Sequence, residues 1–343
     1  MKKIGRHKRK TQRKLLIIGS LSLLLFLCVG YAGFSTNLSI TAKGNVKEKT
    51  RVIQAWSDTD QTDFHSDYYK QNIMNVTFLD NNNVPSNAVE SWNVSEDKEN
   101  GGVIAWVVPN NEDNTKYDLY IGAKGGVIAN EDSSNLFYEF RGIVSIKFNN
   151  NYNTCNVIKM ERMFRNCTSL TSLDLSSFDT RNVTSMYAMF CMWDEKINDA
   201  PANQLMSINF GKTFITTNVV NMRDMFAGLT ELKSLDLSNF DTGNVTNMYH
   251  MFNQCSRLTS LDLHSFDTRN VTTMQYMFLK CSSLTELNLC SFNTNMVVDM
   301  MGMFASTPNL KKVYVGSNWT TANADTTAIF WQSGVSSVTT GRC

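Results

Sequence analysis

The stretch L-T-S-L-D-L-H-S-F-D-T-R-N-V-T-T-M-Q-Y-M-F-L-K-C-S-S, residues 258–283, decides how the chain reads, because it is one copy of a recurring unit. The dipeptide Met-Phe stands at Met163-Phe164, Met189-Phe190, Met225-Phe226, Met251-Phe252, Met277-Phe278 and Met303-Phe304, at spacings of 26, 36, 26, 26 and 26 residues. Self-similarity at a fixed period of this length marks stacked repeats. The one long interval carries an insertion, most of it in the polar stretch Asp194 to Gln204, which a surface loop tolerates. Leu170, Leu173 and Leu175 recur as Leu232, Leu235 and Leu237, as Leu258, Leu261 and Leu263, and as Leu284, Leu287 and Leu289. Divergent copies at Leu136-Phe137 and Phe330 keep the register at both ends, so about eight coils are expected.

Two periods coexist within the unit. L-x-L alternates with period two, as in a half-buried strand, whereas Val245, Met248, Met251 and Phe252 recur at three to four, as on one face of a short helix. One strand and one short helix per coil predict an α/β solenoid of the leucine-rich-repeat type, with a parallel strand ladder over residues 136–343. Asn182, Asn244 and Asn270 suit the helix caps. The Met pairs from Met160/Met163 to Met300/Met303 read as core packing and not as a Cu(I) stripe, because they occupy the face that must point inward.

Upstream, residues 1–14 form a basic tail with eight Lys and Arg, which leaves 24 basic against 31 acidic residues, a balance of −7, in the remainder. A basic tail abutting an apolar run does not look like a nucleic-acid surface, and no nucleic-acid partner is expected. Residues 15–34 (LLIIGSLSLLLFLCVGYAGF) hold no charge and are long enough to cross a membrane, which predicts an N-terminal membrane helix, or a signal segment cleaved after Ala32. Residues 35–90 read as a β-rich linker region and residues 91–135 as an N-terminal cap over the first coil. Apolar and polar residues alternate there at Asn37 to Ala42, Asn75 to Leu79, Val103 to Val108 and Tyr117 to Ile121. Gly125-Gly126 reads as a hairpin turn. The eight cysteines have irregular spacings, so most are expected as free thiols; a Cys255–Cys281 bridge between adjacent coils is the alternative.

In L-x-x-L-x-L the x residues leave the core and line a concave face. Its columns are Asp174, Asn209, Asp236, Asp262, Asn288 and Tyr314, with His264 and Glu286 beside them; these are the candidate partner-binding residues. Asp236 and Asp262 on adjacent rungs repel, a tension that solvent, a basic or hydroxyl-rich partner, or Ca²⁺ would relieve. A second ladder, Asp179, Asp241, Asp267 and Asn293, fits Asx turns. No cofactor and no structural metal is expected. P-loop, H-E-x-x-H, G-x-S-x-G and C-x-x-C patterns are absent, and the sole acid–base couple on the face, Asp262 with His264, lies on an open strand.

The unit N-V-T-x-M-x-x-M-F-x-x-C-x-x-L-T-S-L-D-L-S-x-F-D-T, with the lead-in Ser91-Trp92-Asn93-Val94-Ser95, resembles the repeat of the BspA-like leucine-rich-repeat surface proteins of bacteria. The resemblance runs from about Ser91 to the end. It implies a non-catalytic protein, displayed on the cell surface or secreted, that binds an extracellular protein or glycan of host matrix or neighbouring cells. A self-associating structural component of the envelope or a biofilm matrix is the alternative. Fold resemblance gives a class, not a ligand.

Overall fold

A computed structural model describes residues 50–59, 61–194, 199–341 and 343, all within the compact unit Lys47–Cys343. The predicted membrane or signal segment, the basic tail and the Asn37 to Ala42 strand lie outside the described residues. Among the described residues no helix is long and apolar enough to cross a membrane.

The N-terminal part is built on a five-stranded sheet of order β2-β3-β4-β1-β6. Its strands are β1 (Ile73–Leu79), β2 (Glu90–Asn93), β3 (Ile104–Pro109), β4 (Tyr117–Gly122) and β6 (Ser145–Lys147). The alternation of Val76 and Phe78, of Ala105 and Val107, and of Leu119 and Ile121 puts fully buried residues on one face. The single helix among the described residues, α1 (Asp67–Asn72), begins at Ser66, whose hydroxyl accepts from the Tyr69 N–H. Before it, His65 is held by Asp63 at 2.8 Å and by the Leu136 carbonyl at 3.1 Å. That contact and the parallel pairing of β1 with β6 join this sheet to the first repeat. Gly125 and Gly126 do form a turn, both at positive φ. It does not make a hairpin, because β5 (Val127–Ile128) pairs in parallel with β7 (Tyr152–Asn153) and not with β4.

The repeats stack in register but not as the expected α/β leucine-rich-repeat solenoid. Apart from α1 the described residues are small sheets and turns, and no unit contains a helix. The unit around Met251 shows why. The N–H groups of Met248, His250, Phe252 and Gln254 donate to Thr273, Gln275, Met277 and Leu279 of the next unit, at 2.7–3.1 Å. The intervening N–H groups of Met251, Asn253 and Cys255 close turns onto Met248, His250 and Phe252, three residues back. Left-handed residues at His250 (φ 55°) and Gln254 (φ 60°) make this possible and are incompatible with a helix. Consecutive turns of this kind put Met248, Met251, Phe252 and Cys255 inward at steps of three and four, the same pattern a helix face would give. Each left-handed side chain costs on the order of 1 kcal/mol, offset by pairing alternate backbone donors between units and the intervening ones within turns.

The strand ladder is likewise interrupted. Strands form at β8 (Ser172–Asp174) with β9 (Ser207–Asn209) and at β10 (Glu286–Leu289) with β11 (Lys312–Val315) and β12 (Thr339–Thr340), all parallel. The Leu232 to Leu237 and Leu258 to Leu263 copies are not strands, although their leucines are buried too.

Three columns hold the stack together. Phe137, Phe164, Phe190, Phe226, Phe252, Phe278, Phe304 and Phe330 lie ring on ring, with centroids 5.5–5.9 Å apart and planes within 3–16°. The Met pairs flank them with no exposure. Thr154, Thr180, Thr216, Thr242, Thr268 and Thr294, all buried, form the second column. The Thr242 hydroxyl donates to the Asp267 carbonyl at 2.9 Å and accepts from the Asp267 N–H at 2.8 Å, and its counterparts do the same one unit along. In the third, Asn182, Asn218, Asn244 and Asn270 donate their side-chain amides to carbonyls of the preceding unit at 2.6–2.7 Å. The helix-cap role expected for Asn182, Asn244 and Asn270 falls with the helices.

Cys167, Cys255 and Cys281 are buried thiols that donate to Phe137, Phe226 and Phe252 carbonyls. Burial pushes the Cys255 thiol up to about 12. Cys255 and Cys281 are not bridged to each other. Among the described residues one bridge forms, Cys290–Cys343, with Cα atoms 5.7 Å apart, which the irregular cysteine spacing did not predict.

Candidate functional site

The residues of the expected column form a line of exposed polar side chains, each fixed by its own backbone. Asp174, Asn209, Asp236, Asp262 and Asn288 accept, through the side-chain oxygen, the N–H two residues on, from Ser176, Gly211, Ser238, His264 and Cys290 at 3.0–3.3 Å. These are Asx turns, repeated once per unit. Neighbours meet across units: Asn209 donates to Asp174 at 2.9 Å, Glu286 is in register with Lys312, and Asn288 with Tyr314. His264 Nδ1 lies 2.8 Å from Asp262, and both side chains are about three-quarters exposed.

The two central carboxylates sit close enough to interact. The Ser238 N–H and hydroxyl hold Asp236 below the usual carboxylate range, while the neighbouring Asp262 charge works the other way. The His264 backbone N–H and ring hold Asp262 low. Both are therefore ionised at neutral pH, and the repulsion between them is met by local donors. Among the described residues no group of three or more His, Cys, Asp or Glu side chains is arranged to hold a metal. The second acidic ladder is also made of Asx turns: Asp179, Asp241, Asp267 and Asn293 accept from Arg181, Gly243, Arg269 and Asn295.

The sequence located the insertion but not how it docks, nor the groove and the His250 cluster beside it. The insertion folds back on the stack: Ala200 donates to Gln254 Oε1 at 3.0 Å, and the Asn203 amide donates to the Gly228 carbonyl at 2.8 Å and to the Thr230 hydroxyl at 3.0 Å. Beyond it runs an open groove of about 540 Å³, where the Met-Phe wall turns into the strand face. Beside the insertion, Trp193 stands edge-on to His250, with ring centroids 4.8 Å apart. Buried His250 and Asp224 approach to 3.3 Å, and Arg223 donates to Asp224 at 3.0 Å while lying over the Tyr249 ring. The signal that would have found the groove was present: Gly228, Gln254, Lys280, Ser306 and Gln332 share one position of the unit. A column of residues unlike in chemistry does not announce itself until the stack aligns them.

The geometry offers fixed polar groups on an open surface and beside a groove; the two buried acid–base pairs among the described residues, Asp63 with His65 and Asp224 with His250, lie away from the exposed column. No curated protein and no solved structure matches this chain. Residues 131–200 and 196–319, together more than half of the chain and nearly the whole stack, match one family. The chain belongs to that family, described as Mycoplasma protein of unknown function, DUF285.

Proposed function

We propose that the chain is a non-catalytic binding protein of the cell exterior, which engages an extracellular protein or glycan through the exposed Asx-turn column. The observation that carries this reading is that column itself: Asp174, Asn209, Asp236, Asp262 and Asn288 are exposed and backbone-locked at one position of successive units. Side chains already held in one geometry lose little entropy on meeting a partner. His264, Glu286 and Tyr314 extend the contact surface on either side. The Cys290–Cys343 bridge supports an oxidising, extracytoplasmic setting.

The test is binding of the full-length chain to an array of matrix proteins, glycans and intact cells, with and without Ca²⁺. The double variant Asp236→Lys with Asp262→Lys is run beside it, and sedimentation follows the protein alone. Saturable binding that the double charge reversal abolishes, with the fold retained, supports the reading. Absence of binding together with concentration-dependent polymers refutes it and favours a self-associating structural protein. One feature speaks for that second reading: Trp331, 58% exposed, stands beside Phe330 at the end of the aromatic column.

A further inference from the structure

The insertion lies along the edge of the groove and bonds to the stack there. Asn203 is buried and turns its amide to the Gly228 carbonyl and the Thr230 hydroxyl of the stack, at 2.8 and 3.0 Å, and to the Pro201 carbonyl of its own segment at 3.1 Å. Gly228 already accepts the Thr230 N–H at 2.9 Å, so Asn203 takes the second lone pair of that carbonyl. The repeat copies this pair. One unit on, Gln254 accepts the Ser256 N–H at 2.8 Å, and two units on, Lys280 accepts the Ser282 N–H at 2.8 Å. Ser256 and Ser282 donate their own hydroxyl protons to carbonyls of the preceding unit, which leaves the oxygen lone pairs to accept. The series ends at Pro308, which has no hydroxyl.

The chain's own segment fills only the first of these positions. Where it lies, Gln254 is 4% exposed; at the far end the equivalent Gln332 is open. Between them Lys280 and Ser282 are partly accessible in the groove, and Lys280 makes no ion pair among the described residues. The volume, about 540 Å³, is that of a pocket for a short peptide or drug-sized ligand.

We propose that this groove is a peptide-binding site, which takes an extended polypeptide segment across the repeats as it already takes residues 200–203. The occupant carries a side-chain amide that donates to a carbonyl–hydroxyl pair of the stack, small residues around it, and an acidic side chain that meets Lys280. The site lies on a different position of the unit from the Asx-turn column, so it stands or falls independently of the function proposed above.

The probe is a fluorescein-labelled hexapeptide Asp-Ala-Pro-Ala-Asn-Gln, the sequence of residues 199–204, titrated with the full-length chain by fluorescence anisotropy. Saturable binding is expected. It should weaken by about tenfold or more when the peptide Asn is replaced by Leu, which removes both donated bonds. Ser282→Tyr, which fills the groove, and Lys280→Glu, which repels the peptide Asp, should each weaken it comparably, with unchanged urea midpoints as the control for folding. If Ser282→Tyr does not fold, the peptide substitution and Lys280→Glu decide. Absence of saturation at millimolar peptide, or affinity indifferent to both the peptide Asn and Lys280, overturns the proposal.

Discussion

Replacing Thr242 by Val tests whether the buried hydroxyl column or its methyl packing holds neighbouring units together. Thr242 is fully buried, and its hydroxyl both donates to and accepts from the backbone of Asp267. Val keeps the shape and adds apolar surface, a gain of about 0.8 kcal/mol for one methyl group. It also strands a backbone N–H and a C=O, each costing about 1–3 kcal/mol when buried. Asp267 is only partly buried, so the lower part of that range applies, and the net loss should be about 1.5–3 kcal/mol. Ser keeps both hydrogen bonds and loses a methyl group, for about 0.5–1.5 kcal/mol. The expected order is therefore Val worse than Ser. Urea unfolding gives the global effect, and because repeat arrays unfold in parts, hydrogen exchange at the Asp267 amide gives the local one. Val equal to or more stable than Ser, with Asp267 exchange unchanged, would refute the hydroxyl-bridge account.

Further outcomes follow from the same structure. Cys343→Ser opens a 53-residue loop whose closure is worth at most about 4 kcal/mol of chain entropy; the C-terminal coil should become protease-sensitive first, as limited proteolysis with and without reductant would reveal. Gly228→Ala should destabilise by more than about 2 kcal/mol, since Gly228 has φ +80° and a Cβ would meet the Trp193 backbone nitrogen at 2.5 Å; a neutral result in thermal unfolding would contradict the close stacking of these two units. Asp236 and Asp262 are held low by local donors, so they stabilise the fold above the ordinary carboxylate value. Their contribution should fade as pH falls below it through their lower folded values, and both sites are too exposed for this to exceed about 1 kcal/mol together. Asp236→Asn with Asp262→Asn, which keeps the Asx turns, should flatten that acid limb; an unchanged pH profile would assign it to other carboxylates.

The repeat and its interior are legible in the residues alone. A 26-residue period forces equivalent residues to lie above one another, so burial of the Met-Phe pairs, the leucines and the cysteine slot followed from spacing alone. The polar column followed too, because residues flanking buried leucines must face outward whether or not a strand forms. The tertiary structure decided the backbone path. Inward residues at steps of three and four are produced equally by a helix and by consecutive turns, and the choice depends on where the N–H groups go. In a helix they would bond four residues back, whereas here alternate donors such as His250 and Phe252 bond to the next unit. A single unit contains no information about that neighbour. The Cys290–Cys343 bridge and the groove have the same origin: both join residues far apart along the chain, and only the stacked units bring them into contact.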